Sequence, residues 1–465
     1  MRYSNASSVL LLIMVGACMF AGCSDDSTGP GDKEPPSEEL THSWSARFGD
    51  ANEQAGSDVA VDPSGNTVIT GTFWDTVDFG GGALLYGGRT DIFVAKFGSG
   101  GAHLWSKSFG DGELQEVAYV AVDASGNVIV TGRFYGSMDF GGGELTSVGS
   151  TDIFVAKFSP DGTHQWSKRF GDTGPQLGCF AATDASGNIL IAGRFAGTVD
   201  FGGGPFSSGG NEDIFVAKLT PDGMHLWSKR FGDTSAQYAN AITVDASGNV
   251  TIAGYLEGSV DFGGGALTNV GSIDIFVAQF DAAGDHMWSK RFGDSDAEWA
   301  VDIACDASGN VIMAGHFEST VNFGGGTLTS AGQTDGYVVK FSSTGTHLWS
   351  KRFGDADEQV ANCVTADASG NVILGGNFAG TVNCGGDELT SAGSFDIYIT
   401  KFTSTGTHLW SESFGDASGQ GIAGVAAGSM GVIFVTGALE GTVDFGGGAL
   451  TSAGSTDIFV AKFEP

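Results

Sequence analysis

The stretch DIFVAKFSPDGTHQWSKRFGD, residues 152–172, decides the fold, because it returns in near-identical form along the whole chain. It reads as two strands, residues 153–158 and 164–170, joined by a tight Pro160-Asp161-Gly162 turn. One hairpin buries little by itself, so its recurrence is the informative part. Trp44, Trp105, Trp166, Trp227, Trp288, Trp349 and Trp410 each stand 61 residues apart. A period that never drifts means seven copies of one structural unit.

Working outward, each unit carries four strand signals. The Trp strand is followed by a loop and a short strand such as residues 118–123. The turn Asp123-Ala124-Ser125-Gly126-Asn127 then leads into residues 128–134; its Asp caps backbone N–H groups and Gly-Asn supplies left-handed geometry. A longer connection containing Asp139-Phe140-Gly141-Gly142-Gly143 returns the chain to the next DIFVAKF strand. Four antiparallel strands in each of seven units predict an all-β fold, a seven-bladed β-propeller. An open solenoid would need polar capping units at both ends. Here the ends complement each other: the body begins in a fourth strand, residues 42–48, and finishes after a third, residues 458–463. The N-terminal strand is therefore expected to close the ring by completing the last blade, beside residues 432–437.

Composition agrees with many short strands and tight turns: of 465 residues, 77 are Gly and 34 Phe, but only 9 are Pro. The formal net charge of −33 has the wrong sign for displacing counterions from a nucleic acid, so that class of partner is excluded. Cys179, Cys305, Cys363 and Cys384 fall at four different places of the repeat with no Cys-x-x-Cys spacing, which argues against zinc. They read as small buried side chains, with a Cys305–Cys363 bridge left open.

Before the repeat, residues 1–22 read as a lipoprotein-type signal peptide: Arg2, an apolar run, then Phe20-Ala21-Gly22 before Cys23. The pattern resembles the bacterial lipoprotein signal, which implies that Cys23 carries the lipid; a secretory signal cut nearby is the competing reading. Residues 23–40 are then the lipidated Cys and a disordered acidic tether, and residues 41–465 the propeller. This places the protein in the bacterial cell envelope, anchored to the outer membrane on its surface or periplasmic side.

DASGNVIVTGRF (123–134), VDFGGG (199–204) and the 152–172 segment resemble the SBBP repeat family, seven-bladed propeller repeats of bacterial surface and secreted proteins. That resemblance implies a propeller and a place outside the cytoplasm, but no particular activity. Thr344-Gly345-xxx-Trp349 is also similar to the Trp-docking motif of quinoprotein propellers, on blade packing.

Strand direction puts the short Asp-Ala-Ser-Gly-Asn and Pro-Asp-Gly turns on one face and the longer connections on the other, where binding is expected. Three recurring Asp positions, represented by Asp139, Asp152 and Asp172, are expected to gather on that face. Their oxygens suit Ca²⁺, and the competing reading is that each caps its own Gly-rich loop. The Gly triplets lack the Lys-Ser/Thr and the helix of a phosphate cradle. His42 and its six equivalents precede the Trp by two, so alternation puts His and Trp on one side of the strand. Against this uniform frame, the variable positions at the long-loop end stand out: Arg133, Arg194, Tyr255, His316 and Asn377, then Trp74 and Tyr135, with Tyr238 and Trp299 from the following loop. Arg beside Tyr and Trp is typical of interface anchors. No Gly-x-Ser-x-Gly or His-Glu-x-x-His motif appears. The expectation is a monomeric, non-catalytic scaffold that binds a protein or glycan of the cell surface, with no cofactor beyond the open Ca²⁺ question. The alternative is a polysaccharide-acting or quinoprotein-like enzyme working in the central funnel, marked by two carboxylates of raised pKa.

Overall fold

A computed structural model of the chain describes residues 40–465. The signal peptide, Cys23 and the tether as far as residue 39 lie outside the described residues. Seven four-stranded antiparallel sheets form the blades of a propeller. Blade 1 comprises Gln54–Val61, Thr67–Phe73, Asp91–Phe97 and His103–Phe109, in that order from the channel outward. Blades 2 to 6 repeat this order. Blade 7 joins Gln420–Ala427, Ile433–Leu439 and Asp457–Glu464 to the N-terminal strand Thr41–Phe48. Among the described residues no helix is long and apolar enough to cross a membrane.

The ring does close through its two ends, with one adjustment to the expected neighbour. Thr41–Phe48 pairs with Asp457–Glu464, Phe48 opposite Ile458, and so lies one strand outside Ile433–Leu439 rather than beside it. Ile433–Leu439 already has a partner on each side, Gln420–Ala427 and Asp457–Glu464, so the N-terminal strand takes the outer edge of Asp457–Glu464.

Each blade is sandwiched between two others, so its third strand is buried on both faces. All seven side chains of Asp152–Phe158 are buried although the strand alternates. The core is a series of wedges between neighbours. Between blades 1 and 2, Val68, Ile92 and Val94 meet Val128, Val130, Phe134, Phe154 and Phe158. Burying each such side chain contributes about 1.5–3 kcal/mol.

The second-to-third connection is not a plain loop. In blade 2, Ser137–Asp139 pairs with Glu144–Thr146 in a short ribbon. Phe140, at its turn, inserts between blades, 4.7 Å from the Phe109 ring of blade 1 and 5.0 Å from Phe154. The ribbon therefore folds down the outer wedge. Gly141 and Gly142 lie against His164, at the far end of the strand that leads to Asp172.

A β-bulge near the start of each fourth strand reverses the expected alternation of His and Trp. In blade 1 the register shifts between Lys96 and Phe97, opposite Trp105 and His103. His103 packs on its own blade's Phe97 and Gly80-Gly81, whereas Trp105 packs on Phe158 and Gly162 of blade 2. The two side chains face opposite neighbours. Cys305 and Cys363 are free thiols, as are Cys179 and Cys384.

Candidate binding site at the channel mouth

The first strands line a central cavity of about 550 Å³. Having no sheet partner on its channel side, each leaves backbone groups open, and polar side chains bridge them to the next blade. Asp58 accepts the N–H of Val59 at 2.8 Å and of Val120, in blade 2, at 2.9 Å. Asp302 does the same with Ile303 at 2.7 Å and Val364 at 2.8 Å. Asn240 and Asn362 donate to Ala300 O and Ile422 O of the following blades. Burial pushes Asp58 up to about 7, the charge of Asp302 adding to it, and pushes Asp302 up to about 6. The funnel therefore holds two carboxylates of raised pKa, and both oxygens of each already accept a backbone N–H.

At the long-loop end, the cross-strand pair one step inside the terminal pair (Gln115–Phe134 in blade 2) differs from blade to blade. Blades 2 to 5 carry Glu116–Arg133, Leu177–Arg194, Tyr238–Tyr255 and Trp299–His316. Blades 6, 7 and 1 carry Val360–Asn377, Gly421–Ala438 and Ala55–Thr72. Large side chains thus fill one continuous arc of the rim, and small ones the rest. Tyr238 and Trp299 belong to first strands, not to the loop after Phe-Gly-Asp, which is why they stand opposite Tyr255 and His316.

The arc is internally stacked. The Tyr238 and Tyr255 rings lie 4.5 Å apart, and Arg194 of blade 3 reaches over Tyr238 at 4.2 Å. Trp299 stacks on His316 at 4.8 Å, and burial holds that imidazole down to about 4, so it is neutral at pH 7. Arg133 pairs with Glu116, its Nε donating at 2.6 Å. Arg133 and Arg194 flank a second cavity of about 210 Å³, which shares Tyr119, Phe180 and Asn240 with the channel.

The remaining candidates fall elsewhere. Asn377 accepts the N–H of Ile422 at 3.0 Å and so joins blade 6 to blade 7. Trp74 is 47% exposed just beyond its second strand, and neither it nor the half-buried Tyr135 lines a cavity described above.

Of the three Asp positions, Asp152 and Asp172 lie near each other and Asp139 stands apart, its turn lying against His164. Asp139 lies in the ribbon turn and accepts from Gly141 N at 2.7 Å and Gly143 N at 3.1 Å. Those two hydrogen bonds hold its carboxyl below the usual range. Asp152 is buried at the start of its strand, bonded to Val148 N and ion-paired with Arg169. Burial raises its pKa in spite of Arg169. Asp172 accepts from Gly174 N at 2.7 Å and Thr198 N at 2.9 Å. Each carboxylate organises its own loop, and among the described residues no cluster of three or more His, Cys, Asp or Glu is arranged to hold a metal.

The channel residues escaped the sequence reading, although a signal was there. One position of the repeat runs Asp58, Tyr119, Phe180, Ala241, Asp302, Cys363, Gly424, as varied as any other. The position matters only because the first strand is the innermost of its blade, which places it on the channel.

No family model matches the chain. An uncharacterized WD repeat-containing protein of Acanthamoeba polyphaga mimivirus is 24% identical over 468 residues, covering 79% of this chain and 34% of that protein. The regulatory protein FlaEY of Caulobacter vibrioides is 25% identical over 309 residues, covering 61% of this chain and 32% of that one. The chain thus spans about a third of the length of these curated relatives. Among solved structures, Sqt1 from Chaetomium thermophilum shares 12% identity at a TM-score of 0.45, covering 92% of this chain and all of that one. A likeness that low carries no inference about this chain.

Proposed function

We propose that the propeller is a non-catalytic scaffold that holds a segment of a partner protein along the arc from Arg133 to His316. The single observation behind this reading is the uneven rim: four consecutive blades carry bulky Arg, Tyr, Trp and His pairs, and the other three carry small ones. Blade packing repeats the same residue in every unit, as at the positions of Trp105 and Phe109, so it does not account for such an arc. Aromatic and Arg groups concentrated in one place are the usual anchors of protein interfaces. A glycan fits less well, because stacking on sugars needs open ring faces. Tyr238 has Arg194 on one side and Tyr255 beside it, and Trp299 is stacked on His316.

The test is selection of peptides from a display library on the full-length protein. Trp299→Ala and Tyr238→Ala are expected to weaken the selected peptides tenfold or more, about 1.4 kcal/mol each. Binding unchanged by both substitutions would remove the arc as the site. A hydrolytic reading draws only on the raised carboxylates of Asp58 and Asp302. It predicts sugar-releasing activity that disappears in Asp58→Asn, and the absence of any such activity ends it.

Anchoring belongs to the same proposal: Cys23 carries the lipid and residues 24–40 hold the propeller off a bacterial outer membrane as a monomer. Cys23→Ala is expected to move the protein from the detergent phase to the aqueous phase of a Triton X-114 extraction.

A further inference from the structure

The arc contains one arginine that makes no ion pair among the described residues. Six of the described arginines meet a carboxylate: Arg47, Arg169, Arg230, Arg291 and Arg352 each pair with the Asp that opens the third strand, and Arg133 pairs with Glu116. Arg89 is exposed. Arg194 is half-buried; its guanidinium lies over Tyr238, and its buried Nε–H has no acceptor among the described residues. An unmet buried donor of this kind costs about 1–3 kcal/mol, more when charged.

The repeat shows what is missing. In blade 2 the cross-strand partner of the Arg is Glu116; in blade 3 the same place holds Leu177. The neighbouring cavity of about 210 Å³ has room for one side chain or chain end, not for a nucleotide. Its second cation, Arg133, is already neutralised by Glu116. Asn240 on its wall has its amide engaged with Ala300 O.

We infer that this cavity receives a carboxylate from the partner, which pairs with Arg194 in the place that Glu116 takes beside Arg133. The inference rests on the scaffold reading above and adds the chemistry of what the arc grips. One guanidinium that lies over Tyr238 and lines the cavity suits a carboxylate. The carboxylate comes either from an Asp or Glu side chain or from a free C-terminus. The net charge of −33 makes a single neutralised contact more favourable than a polyanion, which the rest of the surface repels.

The experiment uses peptides selected on the wild-type protein and resynthesised in three forms: with their acidic residues and a C-terminal amide, with Gln and Asn replacing those residues, and neutral but with a free C-terminal carboxylate. Removing the carboxylate is expected to weaken binding at least tenfold on wild type, and whichever of the other two forms keeps full affinity identifies its source. Arg194→Gln should lose the same factor and no longer distinguish the three forms. Leu177→Glu, which supplies the carboxylate internally, should weaken the acidic form as well. The Arg194 ¹⁵Nε signal of the wild type should move on adding the carboxylate form and stay still with the neutral one, which requires no variant to fold. Equal affinity for all three forms, with Arg194→Gln silent and Trp299→Ala still damaging, overturns the carboxylate assignment and leaves the scaffold reading standing. Indifference to Trp299→Ala and Tyr238→Ala as well overturns both. Arg194-dependent binding of trigalacturonate in the absence of any selected peptide overturns the protein occupant.

Discussion

Glu298 occupies the place that Gln54, Gln115, Gln176, Gln237, Gln359 and Gln420 hold in the other six blades. Gln359 shows what the site asks for: its amide donates to Asp355 Oδ1 at 2.7 Å and Ala379 O at 2.9 Å, and its oxygen accepts Asp355 N–H. Glu298 still accepts the N–H of Asp294, at 3.3 Å, but its other oxygen is buried without a donor. Burial, with the charges of Asp294 and Asp274 adding, pushes its pKa up to about 8 from 4.5. Because the folded pKa is the higher one, the stability it contributes is complete below pH 4.5 and is lost as pH rises towards 8. Glu298→Gln is expected to raise stability at pH 8 by about 2 kcal/mol and to flatten that slope in urea titrations. A second exception is Asp91, whose blade has Ser108 at the place where five others carry the Arg that pairs with this Asp. Burial raises it to about 6, against the Gly87 N–H and with Asp111 nearby. Ser108→Arg should lower that pKa and add about 1 kcal/mol above pH 6, with little change below pH 4, as chemical denaturation at the two pH values will show.

Neighbouring blades are fastened at the short-turn end by one recurring device. Trp105 Nε1 donates to Pro160 O of blade 2 at 3.1 Å, and Lys96 Nζ reaches the same oxygen, also at 3.1 Å. The backbone of Gly162 rests on the Trp105 ring at a φ of +82°, and a Cβ there would come within 2.7 Å of it. Gly162→Ala is expected to cost about 1–2 kcal/mol from the left-handed backbone, plus the displacement of the ring, measured as a fall in thermal midpoint. The Lys that reaches across also pairs with the turn Asp of its own blade, as Lys157 does with Asp123 at 3.0 Å. Burial alone would raise Asp123, but the hydrogen bonds from Asn127 and Lys157 outweigh it and hold the carboxyl below 3.8. Its contribution is therefore present above pH 3.8 and lost on further acidification. Asp123→Ala leaves Lys157 buried and unpaired and is expected to cost about 3–5 kcal/mol.

The ring is held shut by Thr41–Phe48 on Asp457–Glu464, with Arg47 neutralising the buried Asp457. Deleting residues 41–48 bares a strand edge and orphans that carboxylate, a loss of about 3–5 kcal/mol from the ion pair alone. Aggregation and a broadened thermal transition are the expected outcome. A permutant that moves residues 41–48 to follow residue 465 through a short Gly-Ser linker should recover one sharp transition. Failure of that permutant to recover would show that the strand does more than fill the edge.

Blade number, strand count and closure were legible because they depend on a period. Trp44 through Trp410 keep their spacing whatever surrounds them, and Asp123-to-Asn127 turns carry their own local chemistry. The arc was half legible: Arg133, Arg194, Tyr255 and His316 stood out against a uniform repeat, but their partners Glu116 and Leu177 did not. Register decided that, since only pairing sets Glu116 opposite Arg133 and Leu177 opposite Arg194. The ribbon that carries Asp139 to His164, the bulge that turns His103 away from Trp105, and the channel position of Asp58 and Asp302 were likewise hidden. Each depends on what lies across a gap between blades, and contacts between units 61 residues apart leave no mark on the local order of residues within one unit.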